Sequence, residues 1–210
     1  MHNKPNLIFV HGSGQSQLSY NFLQIFLPEH NSLCLQYSTA ENPDNILKRF
    51  KFLADQEFDG EPVSIVAHSY GCLLSTLFIK EYKNVDRFIA LSSPWAGSRS
   101  AKWLAYVFRQ SQLFKNTTPG SSLIKAISDT LLEFPITNII STGTSSNDEV
   151  GMGAPNDGLL TVETQKAVPN GFSDCESIEL SVSHNELLFS MDVVEIIQDK
   201  IFDGTANNTE

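Results

Sequence analysis

Residues 63–76, VSIVAHSYGCLLST, constrain this chain more than any other stretch. They open as a β-branched run, Val63, Ile65 and Val66, behind Pro62, which suits a buried, pleated strand. The chain then turns at Ala67-His68-Ser69-Tyr70-Gly71 and leaves with Leu73, Leu74, Leu77 and Phe78 at helical spacing. A strand, a tight turn with one serine at its tip and a helix make the geometry of a nucleophile elbow. Such a turn strains the serine backbone. It also brings strand and helix so close that the residues two before and two after the serine must be small. Ala67 and Gly71 meet that demand. The hydroxyl of Ser69 would then stand at the carboxyl end of a parallel sheet, above the positive end of a helix. The competing reading of the pentapeptide is an ordinary buried strand–turn–helix.

The surrounding chain supplies the sheet. Residues 6–10 (NLIFV) form a continuous apolar run and predict a buried parallel strand ending in His11-Gly12-Ser13-Gly14. A phosphate-binding loop is the alternative there, but no Gly-Lys-Ser/Thr follows and no G-x-G-x-x-G is complete. Leu18, Phe22, Ile25 and Phe26 then fall at helical spacing before Pro28. Residues 32–37 (SLCLQY) predict a second strand. Asn42-Pro43 opens a helix with asparagine as cap and proline in the first turn, and Asp59-Gly60 closes it. After the elbow, residues 85–91 (VDRFIAL) and 135–142 (PITNIIST) predict strands. Residues 177–182 (SIELSV) predict the last one, followed by Ser183-His184-Asn185 and a final helix with Leu187, Leu188, Val194 and Ile197. Ser183 and Glu186 have the spacing of a capping box. Strands alternating with helices predict an α/β fold with a mostly parallel sheet and helices on both faces.

The alternation breaks at residues 95–134. Trp103, Leu104, Val107 and Phe108 make one short helical stripe, and Leu123, Ile124, Ile127, Leu131 and Leu132 make another. This stretch is expected to be a small helical cap whose apolar side lines a pocket, with a long crossover as the simpler alternative. A total of 210 residues suits one domain, and no internal repeat or linker divides it.

Charge and cysteine usage exclude other classes. Acidic side chains number 24 against 14 basic ones, a net charge of −10, and no basic stripe offers a face to nucleic acid. Cys34, Cys72 and Cys175 are too few and too scattered for a zinc site. No apolar run is long enough to span a bilayer, so no stable membrane insertion is expected. The N-terminus enters a strand almost at once, which leaves no room for a signal peptide. A cytoplasmic protein is expected, or a secreted one whose leader has been removed. Oligomeric state is not legible.

A serine hydroxyl attacks only if a base takes its proton and a third group fixes that base. His184 follows the last predicted strand, which puts it at the sheet end where Ser69 stands. It also precedes a predicted helix, whose positive N-terminus would keep the imidazole neutral. His2 is terminal, His30 follows a helix stop, His11 reads as structural, and His68 is expected to point away from the serine beside it. The acid should come from the polar, glycine-rich loop after residues 135–142. Asp157 in the turn Asn156-Asp157-Gly158 is favoured over Asp148 and Glu149. Two amides, those of Ser13 and Tyr70, are placed to stabilise an oxyanion.

The segments FVHGSG, AHSYG, NDGLLTV and SHNELL, in that order, resemble the α/β-hydrolase superfamily, above all its compact bacterial lipases and esterases. Ala67 stands where glycine is commoner, and residues 95–134 match no pattern of that family. The resemblance implies Ser69 as nucleophile, Asp157 as acid and His184 as base, with Ser13 and Tyr70 lending amides. It implies a carboxylic ester as substrate and no required cofactor, while the aromatic insert at residues 95–134 suggests an apolar acyl or alcohol group. No metal ligand set is assigned, and calcium binding is not legible. Thioester or amide cleavage uses the same machinery. A non-catalytic binding module on the same fold is the alternative from another class.

Overall fold

A computed structural model describes residues 4–98, 112–143 and 154–203. Among them, six strands form one sheet in the order β2-β1-β3-β4-β5-β6, every neighbouring pair parallel. They are β1 (Asn6–Val10), β2 (Asn31–Leu35), β3 (Val63–His68), β4 (Val85–Leu91), β5 (Ile136–Ser141) and β6 (Cys175–Leu180). The chain starts near one edge, steps outward to β2, returns past β1 and then builds steadily to β6. All strands therefore finish at the same rim, where the loops gather.

Side chains alternate across the strands and so feed two cores. Ile8 and Val10 of β1 join one core with Phe50, Phe78 and Ile127. Leu7 and Phe9 join the other with Leu23, Leu187 and Val194. The first core lies under α2 (Pro43–Phe58) and α3 (Tyr70–Glu81); the second lies under α1 (Asn21–Phe26) and α7 (Met191–Ile197). Helices on both faces bury the inner strands β1, β3, β4 and β5, while the edge strands β2 and β6 stay largely exposed. Phe50 and Phe78 stack with ring centroids 3.9 Å apart and fasten α2 to α3. Such a pair adds about 0.5–1.5 kcal/mol beyond the area it buries.

Local signals set the boundaries. Asn42 accepts the Asp44 N–H at 2.8 Å and caps α2, with Pro43 in its first turn. Asp59 ends that helix in the left-handed conformation, φ 47°. The elbow places α3 directly beneath β1: a Cβ added at Gly71 would overlap the backbone carbonyls of Val10 and His11. Neither oxygen can retreat without breaking the sheet. Gly71→Ala is therefore expected to destabilise the fold by about 3 kcal/mol or more, from overpacking against backbone. Thermal melting checks this, and a melting temperature equal to wild type would refute the close approach.

Three details differ from expectation. The final helix is broken: a 3-10 turn (Glu186–Phe189), α7 and a wider π turn (Gln198–Asp203) replace one continuous element. Only four residues of 3-10 structure follow the His184-Asn185 pair, where a longer helix is expected. Of the capping box, the Ser183 N–H does donate to Glu186 Oε2 at 2.6 Å. The strand expected at residues 32–37 stops at Leu35.

Between β4 and β5 lie α4 (Gln112–Thr117) and α5 (Ser122–Ser128). Leu123, Ile124 and Ile127 of α5 are buried in the same core as α3. Leu131, assigned to the same apolar stripe, is exposed beyond the helix end. The stripe Trp103, Leu104, Val107 and Phe108 lies outside the described residues. A short α6 (Val162–Lys166) precedes β6. No helix among the described residues is long and apolar enough to cross a membrane.

Candidate active site

Three strand ends and two loops converge at the carboxyl rim of the sheet. β3 delivers Ser69 in a turn with φ 52° and ψ −121°, a backbone region that side-chain-bearing residues avoid. The turn is pinned, because the Ser69 N–H donates to Leu91 O at 2.8 Å and Ser69 O accepts the Cys72 N–H at 3.0 Å. His68 and Tyr70 on either side are buried, whereas Ser69 keeps part of its surface open. The sterics that strain the turn thus expose one hydroxyl.

The turn after β1 lies against it. A Cβ on Gly12 would come within 3.2 Å of Ser69 Cβ and 2.9 Å of His68 Nδ1, so only glycine lets the two turns touch. The Gly12 N–H donates to Gln15 Oε1 at 2.8 Å, and Gln15 Nε2 donates to Asn185 Oδ1 at 3.0 Å. Gln15 therefore ties this turn to the loop that carries His184. His11 is buried and stacks on Tyr37, ring centroids 4.2 Å apart. Burial lowers its pKa and favours the neutral ring. Its Nδ1 lies 2.8 Å from Gly12 O and, as the N–H tautomer, donates there. Gly12 C=O and Ser13 N–H belong to one planar peptide and point opposite ways. Holding the first aims the second. Among the described residues, the N–H groups of Ser13 and Tyr70 meet no acceptor.

The acid and the histidine are in direct contact. Asp157 Oδ2 accepts from His184 Nδ1 at 2.8 Å, and the His184 N–H donates to Asp157 O at 2.9 Å. Both residues are buried. The Asn156-Asp157-Gly158 turn bends the chain back so that Asp157 Oδ1 accepts the amides of Leu159 (2.9 Å) and Leu160 (2.7 Å). Oδ2 also accepts from Ser92 Oγ at the end of β4 (2.6 Å), Ser141 Oγ at the end of β5 (2.5 Å) and Gln165 Nε2 in α6 (3.1 Å). Burial by itself would raise the Asp157 pKa. The hydrogen bond and charge of His184, with the Ser141 and Ser92 hydroxyls, outweigh it and hold the group well below the usual carboxylate range.

Ser69 completes no hydrogen bond with this pair: none joins its Oγ to the ring of His184. The two segments meet through His68, whose Nε2 lies 3.0 Å from His184 O and whose ring centroid is 4.7 Å from that of His184. His68 faces the His184 loop across a buried contact. Burial, reinforced by the charge of His184, pushes its pKa down to about 3 and leaves it neutral. Asp148 and Glu149 lie outside the described residues.

Ser92, Ser141 and Gln165 carry no sequence signal that would mark them. Hydroxyl and amide side chains at strand ends are common, and only the fold reveals that these three share one carboxylate oxygen.

Known proteins share this architecture. The lipase BlEst2 of Bacillus licheniformis, in mature form, superposes with a TM-score of 0.72 at 16% identity, over 95% of this chain and 93% of that one. A lipase-esterase related protein from Clostridium acetobutylicum gives 0.65 at 16% identity, over 95% and 96%. Phospholipase PlaB from Legionella pneumophila gives 0.61 at 17% identity, with 77% of this chain matching 45% of that larger one. These likenesses establish the α/β-hydrolase fold. Curated protein sequences contain no match to the chain. Residues 37–171, which hold the elbow, Ser92, Asp157 and Gln165, match the family described as Lecithin:cholesterol acyltransferase. That match runs over well more than half of the 210 residues, on a fold found in lipases and esterases, and the chain is therefore a member of the lecithin:cholesterol acyltransferase family.

Proposed function

We propose that this protein is a serine hydrolase of carboxylic esters, acting through an acyl-enzyme. The observation that carries the reading is the buried Asp157–His184 pair at the rim where the strained Ser69 turn is exposed. His184 Nδ1–H is held by the carboxylate, so Nε2 is left as the basic nitrogen. Substrate closes the gap between Nε2 and Ser69 Oγ. As Oγ attacks the carbonyl carbon, Nε2 takes its proton. The carbonyl oxygen becomes an oxyanion and receives the Ser13 and Tyr70 amides. The C–O bond to the alcohol then breaks as imidazolium returns the proton to the leaving oxygen. Water repeats the sequence and frees the acid. Fixed donors of this kind are worth about 10²–10³ in turnover each.

Residues 112–134 of the insert, which the structure describes, are read as a cap beside the elbow. Of these, α4 reaches the elbow directly, since Asn116 Nδ2 donates to Tyr70 Oη at 3.3 Å. An apolar acyl or alcohol group suits this environment, and lipid esters agree with the names of the family and of the lipases that share its fold. The reaction as written needs no cofactor.

A fluorophosphonate probe tests the reading. Wild type should take up about one equivalent, bound at Ser69, and Ser69→Ala none. A folded wild-type protein that stays unlabelled would overturn it. A series of p-nitrophenyl esters of graded chain length then reads the pocket, with activity rising beyond acetate if the cap holds the acyl chain.

A further inference from the structure

The reaction outlined above uses Ser69, His184, Asp157 and two amides. It gives no task to Ser92, whose placement is unusual on three counts. Ser92 is fully buried at the end of β4. Its backbone is left-handed, φ 48°, where glycine is at ease and serine is not. That conformation is locked by its N–H, which donates to Ile139 O at 2.8 Å.

The left-handed turn swings the hydroxyl into the acid–base pair. Ser92 Oγ lies 2.6 Å from Asp157 Oδ2 and 2.8 Å from His184 Nδ1, and Ser141 Oγ lies 2.9 Å away. A hydroxyl has one proton and two lone pairs. The carboxylate can only accept, so the Ser92 proton goes to Oδ2. A lone pair then faces His184 Nδ1–H, while the single Ser141 proton goes to Oδ2 and leaves Ser141 Oγ a close neighbour. The Nδ1 proton consequently has two acceptors, each 2.8 Å from the nitrogen.

We propose that Ser92 is a positioning residue that shares the Nδ1 proton of His184 with Asp157 and thereby fixes the plane of the imidazole. The proposal rests on the serine-hydrolase reading. A single hydrogen bond to Oδ2 leaves the ring free to swing about that contact. A second acceptor to one side removes that freedom and keeps Nε2 directed at the nucleophile. No proton changes owner at Nδ1. The gain is orientation, and small errors of aim at a reacting centre are costly.

The test compares wild type with Ser92→Gly and Ser92→Ala. Three readouts are taken: kcat and KM on a p-nitrophenyl ester, thermal melting, and the low-field proton resonance of His184 Nδ1. Both variants are expected to lose about 10-fold in kcat with KM little changed, and to shift the Nδ1 resonance. Glycine relieves the left-handed backbone, so Ser92→Gly should melt no lower than Ser92→Ala even though both lose activity. A purely structural role would instead make activity follow stability. If Ser92→Gly does not fold, Ser92→Ala supplies the same readouts. Wild-type kcat with an unmoved Nδ1 resonance in a folded variant overturns the proposal alone, provided wild type labels with fluorophosphonate. A wild type that does not label overturns the hydrolase reading and the catalytic sense of this one with it.

Discussion

Replacing Ser69 by glycine should abolish ester turnover and at the same time make the protein harder to unfold. Loss of the hydroxyl removes the nucleophile, and kcat is expected to fall by about 10⁵–10⁶, the scale seen when a nucleophile that acts in concert with its base is lost. Stability moves the other way. Ser69 sits at φ 52° and ψ −121°, which costs a residue with a Cβ about 1–3 kcal/mol. Glycine adopts that conformation freely but loses about 0.5–1 kcal/mol more backbone entropy on folding. Strain relief wins, for a net gain of about 1 kcal/mol, or a rise of about 2–4 °C in Tm for a chain of this size. Ser69→Ala keeps the Cβ and the strain, so it should lose the activity with a near-wild-type Tm. Calorimetry of both variants beside an esterase assay checks the pair. Equal Tm values for glycine and alanine would show that the turn stores no strain.

Asp157→Asn should reduce kcat by about 10⁴ and destabilise the fold as well. The carboxylate accepts from Leu159, Leu160, Ser92, Ser141, Gln165 and His184, and nothing donates away from it. Asparagine is isosteric, but its amide nitrogen carries two protons. If its oxygen keeps the Leu159 and Leu160 amides, the NH₂ meets the donors on the other side. His184 is then driven to the tautomer with its proton on Nε2, which cannot take one from Ser69. The buried donors left facing one another cost about 1–3 kcal/mol.

The pH dependence carries a sign that separates this from a generic packing defect. The folded-state pKa of Asp157 lies below its ordinary value of 3.8. A depressed carboxylate contributes stability that is complete above the unfolded pKa and disappears as pH falls through the folded one. The stability gap between wild type and Asp157→Asn should therefore hold from neutral pH to about pH 5 and shrink below about pH 4. Urea unfolding at several pH values reads it, and a gap that stays constant into the acid range would refute the ionised, hydrogen-bonded carboxylate.

What the chain reveals by itself follows from how local each cause is. A β-branched run behind Pro62 and a small-residue turn at Ala67 and Gly71 specify strand, elbow and helix, because the forces involved act within a few residues. Asn42-Pro43 and Asp59-Gly60 bound α2 for the same reason, and apolar runs buried on both sides make the sheet parallel. The final helix was less legible. Its apolar positions continue through Leu187, Leu188, Val194 and Ile197, yet the backbone divides into a 3-10 turn, α7 and a π turn. Leu187, Leu188, Val194 and Ile197 all reach the second core across those breaks, which the repeat of apolar residues does not show.

The amino-acid order alone determined the α/β architecture, the serine at the tip of the elbow and the histidine after the last strand. Tertiary structure alone decided that His68 meets the His184 loop and that Gln15 bridges to Asn185. It alone brought Ser92, Ser141 and Gln165 around one oxygen of Asp157. Ser92 lies 65 positions from the carboxylate and 92 from the imidazole that its hydroxyl touches. Contacts at such separations leave no periodicity in the chain, since they depend on where strands end in space and on which acceptor a buried donor can reach.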